Sequence, residues 1–159
     1  MMLFVKSFPI AEEGEGAFIG HGGEAPARFT SLLLAEIASA ASAEQMQGFF
    51  LSVGQRLAVT HPIDGARDLE RLTRHANQVW HAFHWGHVQF EMDDEGIDIF
   101  HQGLPVTLEG DQQGLWAVAG PLILQGAYDG WFRQAGSGAR LRTSIHRQAD
   151  GCVELRHGI

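Results

Sequence analysis

From Leu115 to Gly136 the chain reads LWAVAGPLILQGAYDGWFRQAG, a helix-length run. Trp116, Leu122, Ile123, Tyr128, Trp131 and Phe132 give it large apolar side chains. Between them stand Ala119, Gly120, Gly126, Ala127 and Gly130. Positions with so little bulk let another backbone come close. Pro121 is expected to kink this helix or mark an early break in it. Gly136 and Gly138 are expected to end it.

Other elements announce themselves by period. Thr30 and Ser31 are candidate N-caps for LLLAEIASAAS, a first helix in which only Glu36 interrupts the apolar and small residues. Ser42 with Gln45 fits a capping box, and Met46, Phe49, Phe50, Val53 and Leu57 then follow helical spacing. His61-Pro62-Ile63-Asp64-Gly65 breaks the chain, and Asp64 is placed to cap a third helix over about 66–84. Its apolar stripe is Leu69, Leu72, Ala76, Val79 and Phe83. The period changes at Gly86. In HVQFEM, Val88, Phe90 and Met92 alternate with His87, Gln89 and Glu91, as in a half-buried strand. Asp93-Asp94-Glu95-Gly96 turns the chain and IDIFHQ returns. RLRTSIHR, Ala149-Asp150-Gly151 and CVELRH form a second hairpin around an Asp-Gly turn. Helices, a hairpin, a helix and a hairpin, without strict βαβ alternation, predict an α+β fold.

The bulk properties narrow the functions. A chain of 159 residues with 45% hydrophobic and 19% charged residues is one globular domain. A net charge of −8 repels nucleic acid and anionic membrane surfaces alike. No apolar run is long enough to span a bilayer, and the amino-terminal stretch lacks the features of a secretory signal, so a cytoplasmic location is expected. Residues 1–25, rich in Gly and Glu, read as a flexible arm and 26–159 as the single domain.

The chemically suggestive feature is VWHAFHWGHV, with His81, His84 and His87 spaced by three. His81 and His84 share a helix face; His87 needs a bend at Trp85-Gly86 to join them. Three imidazoles satisfy the minimum for a catalytic zinc, but no H-E-x-x-H pattern and no Cys pair accompany them. The simpler reading is a set of solvent-facing histidines at a helix C-terminus, where an imidazolium favours the dipole. His61, His75 and His101 read as surface or edge residues. Gly14-x-Gly16 followed by Gly20 misses a dinucleotide fingerprint by one residue. Asp93, Asp94 and Glu95 are accounted for by a turn, Arg140 and Arg142 by the wet face of a strand, and Cys152 by a small structural residue. No catalytic set emerges, and no cofactor is expected.

The stretch WHAFHWGHVQFEMDDEGIDIFHQGLP, followed by GLWAVAGPLILQGAYDGWF, resembles the D component of bacterial cellulose synthase complexes. The likeness lies in order: a helix ending in Trp85-Gly86, an alternating hairpin, Leu104-Pro105, a Trp-led helix with Pro121, and Tyr128 to Trp131 near its end. It runs from about Pro26 to the last strand. The resemblance implies a non-catalytic cytoplasmic scaffold near the inner membrane, in which dimers assemble into a ring-like octamer. It implies β-1,4-glucan chains and other synthase subunits as partners, with nascent chains guided through channels toward crystalline export and the biofilm matrix. It also implies that the segment before the first helix lines the channel, here Gly22, Gly23, Glu24, Ala25, Pro26, Ala27 and Arg28. Residues 1–21 have no counterpart in that pattern. The apolar first helix and the small-faced fourth helix fit association through helical surfaces. The competing expectation is a small metal-dependent enzyme built on His81, His84 and His87.

Overall fold

A computed structural model describes residues 24–63, 65 and 68–159. Among them the chain forms α1 (Glu24–Ala40), α2 (Ala43–Thr60), α3 (Leu69–Phe83), β1 (His87–Met92), β2 (Gly96–Gln102), α4 (Trp116–Gln134), β3 (Arg142–Ala149) and β4 (Cys152–Gly158). The α+β expectation holds. Both predicted hairpins form, and they lie side by side in one antiparallel sheet of order β1-β2-β4-β3. The second hairpin turns on Asp150 and Gly151, at φ 48° and 79°, the left-handed pair that a tight two-residue turn requires.

Period two decides the core face of the sheet. Val88, Ile99, Val153 and Leu155 are buried on it, as are His101 and His157. Ile99 pairs with Leu155 and His101 with Val153 across the centre. Helix α4 carries most of the remaining core, including Trp131, Tyr128, Leu124 and Ile123. Trp80 of α3 joins Trp131 and Tyr128 with ring centroids 5.3 and 5.7 Å away.

The small residues of α4 receive a helix of the same chain. A Cβ at Gly126 would overlap the carbonyl oxygen of Leu51, and one at Gly54 would overlap that of Ile123. At Gly130 it would meet the Ala58 methyl at 2.6 Å. Glycine on both helices therefore sets the backbone approach of α2 and α4. This face is covered within the protomer, so it is not the surface between subunits that its composition suggests.

Pro121 does not break α4. It lacks the N–H that would reach the carbonyl of Ala117, and the Gln148 side chain supplies a substitute, Nε2 to Ala117 O at 3.3 Å. The start of α4 is held by Asp111, whose carboxylate accepts from the Leu115 and Trp116 amides at 3.0 and 2.8 Å.

Other boundaries shift. Helix α1 begins at Glu24, so Thr30 and Ser31 lie inside it and cap nothing. Their hydroxyls donate to the carbonyls of Pro26 and Glu109 instead. The reciprocal capping box of Ser42 and Gln45 is present. The cap of α3 is Asp68, which accepts from the Arg71 amide at 2.8 Å; the expected cap Asp64 lies outside the described residues, as does the arm through Gly23. Phe83 is 39% exposed, and Trp80 is buried beside Val79 in its place. Cys152, expected as a structural residue, is exposed.

Candidate functional site

The histidine pattern does not close into a site. His81, His84 and His87 are all exposed. The His81 and His84 rings are 6.5 Å apart. His84 turns to φ 57°, ψ 38° at the helix end, so the helical face shared by the first pair is not continued to His87 on β1. Among the described residues no group of three or more His, Cys, Asp or Glu is placed to hold a metal ion.

The histidines with structural partners are others. His101, expected at a surface or edge, is 1% exposed. Its Nε2 donates to the Trp85 carbonyl and its Nδ1 accepts from the Tyr128 hydroxyl, both at 2.6 Å. The carbonyl can only accept, so the proton sits on Nε2. Burial, first, pushes the His101 pKa down to about 4; the Trp85 carbonyl opposes this and nearby His87 adds to it. Burial likewise pushes the Tyr128 hydroxyl well above its ordinary value. The pair is a neutral, buried crosslink between β2 and α4. Sequence offered a signal: His101 follows Ile99 at a spacing of two, on the buried face.

His75 Nε2 and Trp131 Nε1 both donate to the carbonyl of His61, at 2.8 and 2.9 Å. That carbonyl, at the end of α2, is thereby satisfied by α3 and α4 together. These residues hold the helices; they do not assemble a reaction centre.

The surface that stands out is on α1. Among its large apolar side chains, Leu34 is buried, while Phe29, Leu32 and Leu33 are 62%, 68% and 49% exposed. Positions 29, 32 and 33 share one face of a helix. The other side of α1 is tied to the connector before α4: Ser31 Oγ donates to Glu109 O at 2.8 Å, and Arg28 pairs with the Glu109 carboxylate at 3.0 Å. This apolar stripe on an anchored helix is the candidate interaction surface among the described residues.

Of the segment expected to line a channel, Gly22 and Gly23 lie outside the described residues. Glu24, Ala25, Pro26, Ala27 and Arg28 form the opening turn and a half of α1, with Ala25, Pro26 and Arg28 exposed. Pro26 suits a first turn, where its missing N–H costs no helical bond. No helix among the described residues is long and apolar enough to cross a membrane.

The family model for the D component of cellulose synthase matches residues 24–158. Those limits run from the first residue of α1 to the last of β4. No curated protein matches the chain.

Proposed function

The chain belongs to the family of cellulose synthase D components, and from that premise we propose that it is a non-catalytic scaffold of the cellulose synthase complex. Copies associate through α1 into dimers, which build a ring-like octamer that guides nascent β-1,4-glucan chains toward ordered export. The scaffold works in the cytoplasm beside the inner membrane, and its partners there are the other synthase subunits.

The observation that carries this reading is the stripe of Phe29, Leu32 and Leu33. Three large apolar groups on one helical face lose water-exposed area only when a second surface covers them. Ends of α1 then meet around an enclosed space. The segment Gly22 to Arg28 is the natural lining. Amides in the first turn of a helix have no intrahelical partner, and they offer weak, repeated hydrogen bonds to a neutral sugar polymer. Tight contacts would halt a moving chain; small side chains such as Ala25 and Ala27 avoid them.

Light scattering on the purified full chain tests the assembly, with a mass several times the 17.4 kDa protomer expected. Membranes from cells lacking the protein should still polymerise glucan while the product loses yield or crystalline order. Complete loss of polymerisation in those membranes would argue for a catalytic role. The metal-enzyme reading has no assembled donor set among the described residues to support it.

A further inference from the structure

The start of α3, the β1–β2 turn and the end of α4 enclose a cleft of about 500 Å³. Leu69, Leu72, Ile97 and Phe132 make its walls mainly apolar. Two of its lining residues carry buried polar atoms without a hydrogen-bond partner among the described residues, His157 Nε2 and Ser137 Oγ. His157 as a whole is 1% exposed. Buried polar atoms are rarely left alone, because desolvation without a partner is costly.

The chemistry of the missing partner can be read from the other side of the imidazole. Thr143 Oγ1 donates to Asp129 Oδ1 at 3.3 Å. Asp129 is in turn held by Arg133 Nε at 2.8 Å. With its proton committed to Asp129, the Thr143 hydroxyl accepts from His157 Nδ1, 2.9 Å away. The His157 proton is therefore on Nδ1, and Nε2 presents a bare lone pair. It calls for a donor. Phe132 stacks on the ring at 4.6 Å and fixes its plane.

Charge narrows the class further. Asp68 and Asp93 lie on the lining, and among the described residues that line it there is no Arg or Lys to receive an anion. Each already faces a guanidinium, Arg71 at 3.4 Å and Arg156 at 2.8 Å, so a cation finds neither carboxylate vacant.

We propose that this cleft binds a small uncharged molecule with a hydroxyl group on an apolar body, the hydroxyl donating to His157 Nε2 as the side chains that now cover that atom move aside. Ser137 offers a second hydroxyl on the same lining for another polar group of the ligand. Burial lowers the His157 pKa, opposed by Asp129, so the acceptor lone pair persists at neutral pH. The cleft shares no lining residue with the α1 stripe.

Phenol and anisole are matched probes, one ring with and one without the donor. Calorimetric titration of the full chain should show saturable phenol binding, at least fivefold tighter than anisole. Crystals soaked in 4-bromophenol should place the bromine between Phe132 and Leu72, with the phenolic oxygen on His157 Nε2. Equal affinities for the two probes, no saturable heat with phenol, or bromine bound elsewhere would each overturn the proposal and leave a water-filled cleft. None of these outcomes bears on the oligomer, so the scaffold function stands or falls separately.

Discussion

His101 Nδ1 accepts the hydroxyl proton of Tyr128 at 2.6 Å, joining the central sheet to α4 inside the core. Burial of that imidazole makes stability depend on pH. In the folded chain the His101 pKa is about 4, against an ordinary 6.5. In that interval the unfolded chain binds a proton that the folded chain refuses. Stabilisation is therefore complete above about pH 6.5 and is lost as pH falls toward about 4. The slope is about 1.4 kcal/mol per pH unit, on the order of 3 kcal/mol across the interval. His157, also lowered by burial, adds a slope of the same sign. Urea unfolding followed across this range should show the fall, and His101→Gln should start less stable with a flatter profile. A wild-type profile flat over the interval would contradict the assignment.

Tyr128→Phe removes the donor and leaves His101 Nδ1 buried without a partner. Such a loss costs about 1–3 kcal/mol. Because Tyr128 is fully buried and its ring packs against Trp80, Trp131 and Phe90, the phenylalanine keeps the packing. A drop in unfolding free energy with native circular dichroism would isolate the hydrogen bond; an unchanged midpoint would show that it contributes nothing net.

Two glycines in helices should respond in opposite directions to alanine. Gly48 in α2 has nothing within 4 Å of where a Cβ would stand. Gly48→Ala should therefore stabilise by about 0.5–1 kcal/mol through helix propensity. Gly126→Ala forces a methyl into the carbonyl of Leu51, so α2 must move off α4, at a cost of about 1–3 kcal/mol net. Thermal melts of the pair decide whether the glycine face sets the interhelical distance.

That face also shows where sequence reasoning stops. Composition identified a close backbone neighbour for α4, but a run of small residues carries no sign of whose backbone it is. The covering helix proved to be α2, which brings its own Gly54 to the crossing. Local chemistry was legible wherever one short segment contained both partners. Ser42 with Gln45 and Asp150 with Gly151 are such cases. Asp68 was overlooked because Asp64 offered the same chemistry a turn earlier. The helical start at Glu24 was hidden by glycine-rich sequence just before it, although Pro26 suits a first turn. His101 and His157 were legible in principle, each two residues beyond a buried apolar neighbour, Ile99 and Leu155. Polar identity masked what position implied. The cleft beside His157 draws its walls from α3, α4 and the hairpins, and no single stretch announces it.

Asp111 should matter more than an exposed loop carboxylate usually does. It accepts from two consecutive amides at the start of α4, which otherwise has no side-chain cap. Asp111→Ala should destabilise by about 1–2 kcal/mol, and Asp111→Asn by less, since one amide oxygen still accepts. Equal losses from the two substitutions would point to charge rather than hydrogen bonding as the main contribution.

The α1 stripe separates folding from assembly. Phe29, Leu32 and Leu33 contribute little to the protomer core, since each is about half exposed or more. Leu32→Glu with Leu33→Glu should therefore leave helical content and protomer unfolding within about 0.5 kcal/mol of wild type, the range for ordinary surface changes. Two desolvated carboxylates at a contact between copies would be far more costly, so the same protein should lose most of its assembled mass in light scattering. Val59 is the control: it is 68% exposed on α2 but stands outside the stripe, and Val59→Glu should keep the wild-type mass. If the double variant retains the full mass at equal concentration, α1 is not the surface through which copies of this chain associate.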